Sequence, residues 1–226
     1  MKKIVKRLLE SNGYVLFVVI ACIYIDISLF TNSKVLTDGV LYNSFAGQMP
    51  EHYIQRAIDF QHKWEWVGYA LTPVIMALRQ LFVCGFVAAS TMLTEKLMLG
   101  EEGITFGQIY KSVLVSEIVL LVVAIANLGI VLLHGVSDLQ ELQQISIDHH
   151  LSLGALVDGI DGLEWLVEPL RMFNLSQVLY MTAMAYCLSN YNHQNFVESL
   201  STVFKGYGFL LLIVAMITTY LSLTYG

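Results

Sequence analysis

Four stretches of this chain are nearly free of charge, and they set its architecture. Tyr14–Phe30 holds one charged residue, Asp26; Val67–Leu93 holds one, Arg79; Val113–His134 holds one, Glu117; Tyr207–Leu223 holds none. A helix needs about 20 mostly apolar residues to cross ~30 Å of hydrocarbon, so each stretch predicts a membrane span. A fifth, Phe173–Tyr191, is uncharged but rich in polar and aromatic groups. It crosses if Gln177, Thr182 and Ser189 face protein rather than lipid; otherwise it is re-entrant or interfacial. The expected fold is an all-α transmembrane bundle in one domain, 1–226, with spans near 14–30, 67–93, 113–134, 173–191 and 207–223.

Between the spans the pattern turns amphipathic. After Pro50, the residues Tyr53, Ile54, Ala57, Ile58, Phe60 and Trp64 recur at three- and four-residue steps. Glu51, Gln55, Arg56, Asp59 and Lys63 fill much of the opposite face. This predicts a helix over 50–66 that ends in Trp64 and Trp66, residue types suited to the headgroup level. It serves either as a membrane-surface or partner-binding helix, or as a cap packed on the spans. Residues 135–172 are acidic, with short apolar repeats broken by glycines at 154, 159 and 162 and with Trp165 as an interfacial candidate.

Composition agrees with the pattern. Of 226 residues, 56% are hydrophobic and 13% charged, about half the charged share of a soluble domain. Mean hydropathy is +0.65. These values argue against a soluble enzyme and against disorder. The net charge of −6 without a basic run excludes nucleic acid as the expected partner. Seven basic residues lie in the segments expected inside (Lys2, Lys3, Lys6, Arg7, Lys96, Lys111, Lys205) and four outside, while the outer segments carry eleven of the eighteen acids. The amino end is therefore expected in the cytoplasm. Val19-Ile20-Ala21-Cys22 looks like a lipoprotein cleavage box, but the apolar run continues past the cysteine, so an uncleaved first span is expected. Cys22, Cys84 and Cys187 read as small core residues.

Chemistry is expected first at the intramembrane charges, because an ionised group at mid-bilayer costs several kcal/mol unless paired or hydrated. Helical rise places Asp26 and Arg79 at similar depth, as a structural pair or as part of an ion relay. Glu117 falls four residues into its span and would snorkel. Asp148, His149 and His150, with Asp158, Asp161 and Glu164, have the right donors for a metal. No His-x-x-x-His step puts two imidazoles on one face, so neither a metal nor another cofactor is expected. His52, His62, His134 and His193 read as interfacial.

Gly103-Ile-Thr-Phe-Gly-Gln108 resembles the Gly-x-x-Phe-x-Gln segment of the Ypt/Rab-interacting protein (YIP) family. Phe173-Asn-Leu-Ser-Gln-Val-Leu-Tyr180 resembles the opening of that family's fourth span. The resemblance covers roughly Val67 to Leu223. It implies five spans, a cytoplasmic amino end, and a structural role for Gly103, Phe106 and Gln108. The Asp-Leu-x-Gly-Pro motif of the eukaryotic members is missing here.

The first expectation for function is a non-enzymatic scaffold or accessory subunit in export or trafficking. It would sit in the lipid bilayer with a membrane-protein partner or a second copy of itself, and it would use Tyr53, Ile54, Ile58, Trp64, Trp66 and Trp165. The alternative is a small transporter or permease subunit using Asp26, Arg79 and Glu117. A membrane metalloenzyme near His149 and His150 is the third reading.

Overall fold

The computed structural model describes residues 2–99, 104–192 and 195–225. Its elements are α1 (Lys2–Glu10), α2 (Gly13–Lys34), α3 (Asp38–Phe45), α4 (Glu51–Leu99), α5 (Phe106–His134), α6 (Leu139–Gln144) and α7 (Ile147–His150). These are followed by a 3-10 turn (Gly154–Leu156), α8 (Glu164–Arg171), α9 (Leu175–Asn192), α10 (Phe196–Val203), a π turn (Phe204–Gly208) and α11 (Phe209–Tyr225). No strand occurs among the described residues. The chain is an all-α bundle.

Four helical stretches are long and apolar enough to cross a membrane: Gly13–Lys34, Glu51–Leu97, Phe106–His134 and Phe196–Thr224. Among the described residues the number of such stretches is four, not five. The stretch expected at 173–191 does form a helix, α9, of 18 residues, but its polar content keeps it out of this group. Of Gln177, Thr182 and Ser189, only Gln177 turns to a neighbouring helix, where it accepts a hydrogen bond from Tyr207. Thr182 and Ser189 bond to their own backbone, at Val178 and Tyr186. α9 lies against α5 and α10, with Tyr180, Met184, Ala185, Cys187 and Leu188 buried.

α4 joins two expected elements into one helix of 49 residues. At 1.5 Å per residue it is about 73 Å long, well over twice the hydrocarbon thickness. The switch from amphipathic to apolar near Trp66 changes what surrounds the helix and leaves the backbone hydrogen bonding intact. Pro73 lies inside it and cannot donate to the carbonyl of Tyr69. Pro50 stands just before the first turn, its carbonyl accepting from Tyr53 and Ile54. The amphipathic end packs on α3, burying Ile54 and Ile58 (3% and 7% exposed) while Tyr53, Phe60, Trp64 and Trp66 stay exposed. His62 reaches Asp38 at 3.0 Å.

α5 begins where Gln108 accepts from the backbone N–H and the hydroxyl of Thr105, both at 2.9 Å. This reciprocal cap satisfies groups that every helix start leaves open. It gives Gln108 a structural role; Phe106 is exposed and Gly103 lies outside the described residues. At one end of the bundle Tyr191 donates to the carbonyl of Leu9, bringing α1 to the end of α9. At the other end, residues 139–171 fold back over the start of α9. There Leu153 N–H donates to Phe173 and Leu175 N–H donates to Leu151. We refer to these as the α1 end and the α8 end.

The last helix approaches α4 closely at Gly206. A Cβ there would meet the Thr91 Cα at 3.0 Å, and Ser90 donates to the Gly206 carbonyl at 2.8 Å. The π turn at Phe204–Gly208 falls at this contact. Such turns reset which side chains a helix presents. Here Tyr207 is buried and turned toward α9, with its ring centroid 5.2 Å from that of Tyr180.

Candidate functional site

Because α5 begins at Phe106, Glu117 lies eleven residues from the helix start. That is about 16 Å along the helix axis. Glu117 is 4% exposed, so its carboxylate turns into the bundle rather than outward. Tyr24 of α2 donates to its Oε2 at 3.2 Å.

The same contact explains why Asp26 and Arg79 do not pair. Successive residues turn by about 100°, so Asp26 sits roughly 200° round α2 from Tyr24, on the far side of the helix. It is exposed and lines no part of the site. Among the described ion pairs, none joins Arg79 to Asp26 or to Glu117. Depth was legible from helical rise; facing was decided by packing.

Arg79 and Glu117 instead line one cavity of about 300 Å³, with Tyr24, Gln80, Asn127, Asp148, Gln177, Tyr180 and Tyr207. The side chains form a polar column. Tyr24 donates to Glu117. Tyr207 donates to Gln177 at 2.7 Å. Toward the α8 end, the Asp148 carboxylate accepts from Ser176 and from Asn127, and Asn127 accepts from the backbone N–H of Ile147 at 2.8 Å. The Tyr180 hydroxyl is buried beside the Glu117 carboxylate.

On the α1 side of Glu117 the bundle is dry. Ile109, Val113 and Leu114 of α5, Met184 and Cys187 of α9, and Val203 of α10 are 0–2% exposed and form one apolar cluster. Ser112 and Ser116 satisfy their hydroxyls on their own helix, at Gln108 and Ser112.

The three consecutive residues 148–150 diverge, as helical spacing requires. Asp148 turns into the cavity. His149 is buried with Nε2 3.3 Å from Asp158, and His150 is exposed. Burial, together with the Arg171 guanidinium nearby, holds the His149 imidazole below its ordinary range. No group of three or more His, Cys, Asp or Glu side chains suited to a metal occurs among the described residues. The side chain of Glu164 and residue His193 lie outside them.

The interfacial candidates separate. Ile54 and Ile58 are packed against α3, whereas Tyr53, Trp64 and Trp66 are exposed. Trp165 is half-buried and donates to Gly162 at 3.2 Å. Cys84 and Cys187 are buried as expected; Cys22 is exposed on α2. Reading the sequence for charge found Arg79 and Glu117 but missed Tyr24, Gln80, Asn127, Tyr180 and Tyr207. The signal for them was uncharged polar and phenolic groups inside apolar runs, which is weaker than a charge.

Compared with protein-family models, with curated proteins and with solved structures, the chain matches none.

Proposed function

We propose that this chain is a membrane-embedded transporter or permease subunit whose solute site is the cavity around Glu117. One observation carries the reading: a buried carboxylate borders a polar cavity with Arg79, three amides and three tyrosines, instead of closing onto a salt bridge. Intramembrane ionisable groups facing a cavity mark solute and ion pathways. Asp26 drops out of the reading, being exposed on the far side of α2.

The test is flux in proteoliposomes. Glu117→Gln keeps the shape and hydrogen-bonding capacity but removes the charge. Loss of one charge-assisted contact of about 1.5–3 kcal/mol lowers flux at least tenfold. Asp26→Asn leaves flux within about twofold of wild type. Equal flux for wild type and Glu117→Gln overturns the proposal.

A scaffold role is the second reading, supported by the exposed Tyr53, Phe60, Trp64 and Trp66 on the part of α4 that extends past the apolar run. It predicts that mild-detergent purification recovers a second membrane protein; a lone monomer counts against it. The placement in a prokaryotic inner membrane with a cytoplasmic amino end belongs to this proposal as well, supported by the seven-to-four bias of basic residues. So does kinship with the YIP family, resting on the 103–108 and 173–180 motifs.

A further inference from the structure

A second cavity, of about 390 Å³, lies at the α8 end, lined by Ser146, Asp148, His149, Glu168 and Arg171. Asp148 lines both this cavity and the one around Glu117. Its carboxylate is fixed between the two by Ser176 of α9 and Asn127 of α5.

Charge along this line is uneven. In the outer cavity Arg171 is neutralised by Glu168 at 2.6 Å, which leaves Asp148 as the uncompensated charge. In the inner cavity Glu117 and Asp148 face one cation, Arg79. Counted once, Asp148 joins Glu117 and Glu168 against Arg79 and Arg171, so the two cavities together hold one acidic group in excess, and oxygen-bearing side chains of Tyr24, Tyr180, Tyr207, Asn127 and Gln177 line the inner one.

An independent observation points to the same place. His149 Nδ1 and Arg171 Nε are buried with no hydrogen-bond partner among the described residues. Both belong to residues lining the outer cavity, and His149 is 7% exposed. Polar groups this deep normally have partners in protein or water, so the outer cavity is suited to a polar occupant.

We infer that the Glu117 site is reached from the α8 end, across Asp148, and that Asp148 selects small cations. The inference rests on the transporter reading of the inner cavity and adds to it the side of access, the gatekeeping residue and the charge of the solute. The apolar cluster of Ile109, Val113, Leu114, Met184 and Val203 closes the α1 end.

The experiment is sided thiol labelling of the full-length protein in membrane vesicles. Cys22, Cys84 and Cys187 are first replaced, and the single-cysteine variants must retain wild-type thermal stability. Asp161→Cys reports the α8 side and Lys96→Cys the α1 side, both positions being exposed. Ala124→Cys sits on the inner cavity wall, and Ser112→Cys sits in the dry cluster. A cationic, membrane-impermeant methanethiosulfonate is expected to label Ala124→Cys only from the side that labels Asp161→Cys, and Ser112→Cys from neither side. At Ala124→Cys the cationic reagent reacts at least about tenfold faster than an anionic one, as expected for a carboxylate lining a confined route. Asp148→Asn removes most of that preference without closing the route.

Labelling of Ala124→Cys from the Lys96 side, from both sides or from neither overturns the inference. So does a charge preference unchanged by Asp148→Asn. The two proposals fail separately. Sided labelling with flux indifferent to Glu117→Gln leaves the route standing and removes the transporter reading. Glu117-dependent flux with labelling from the α1 side does the reverse.

Discussion

Gly206 tests how the last helix is held in register with the cavity. In Gly206→Ala the new Cβ would stand 3.0 Å from the Thr91 Cα, 3.1 Å from Thr94 Oγ1 and 3.2 Å from the Ser90 carbonyl oxygen. Comfortable carbon contacts are about 3.5–4.0 Å, so the two helices must separate by roughly 0.5–1 Å. Two of the three obstructing atoms are backbone and cannot rotate away. Overpacking of this kind costs about 1–3 kcal/mol. The Ser90–Gly206 hydrogen bond of 2.8 Å is stretched at the same time, a loss of up to about 1 kcal/mol. The better helix propensity of Ala returns about 1 kcal/mol. The net is about 0–3 kcal/mol, centred near about 1.5 kcal/mol, which is roughly 3–6 °C in Tm for a chain of this size. Gly208→Ala is the control. It lies two residues on, yet its nearest neighbour, the Phe204 ring, is 3.8 Å away, an ordinary contact. Thermal unfolding of both variants in the same detergent is the assay. Gly206→Ala should melt lower and Gly208→Ala at or slightly above wild type. Matching Tm values for the two, in either direction, would show that close approach at Gly206 does not hold these helices together.

Two further outcomes follow from the α8 end. In Gly154→Ala the Cβ would fall 2.7 Å from the Val167 carbonyl oxygen and 2.8 Å from Arg171 Cγ. The 3-10 turn must then lift off α8, and limited proteolysis within 139–171 should speed up severalfold, while unchanged protection would contradict the packing. His149 is held neutral by burial and by Arg171, against the opposing pull of Asp158 and Glu168. Its lowered folded-state value means that its stabilising contribution is present above the unfolded value of about 6.5 and is lost as pH falls through the folded one. Wild type should therefore lose Tm on acidification below about pH 6.5 more steeply than His149→Gln; parallel pH profiles would refute this.

The helical class of this chain and the depth of its charges were written in the order of its residues. Uncharged runs of sufficient length admit no other backbone in lipid, because every N–H and C=O must be satisfied within the segment. Depth follows from a fixed rise per residue, which is why Arg79 and Glu117 could be singled out by counting. Counting failed where it relied on composition to mark helix ends. α5 starts at the Thr105–Gln108 cap rather than at Val113, and α4 runs through the change of polarity at Trp66, since backbone hydrogen bonding ignores what solvates the side chains.

Facing is a property of pairs of helices, and only the tertiary structure decided it. Asp26 and Tyr24 are two residues apart, yet one is exposed and the other holds Glu117, because α2 turns a single face to α5. Asp148 reads in the sequence as part of a solvated acidic loop. It enters the bundle because Ser176 and Asn127, contributed by two different helices, converge on its carboxylate. The sequence by itself determined that charge would be found within the apolar helices. The fold decided which charges share a cavity, because a contact between distant residues depends on rotations and offsets of whole helices that no local pattern encodes.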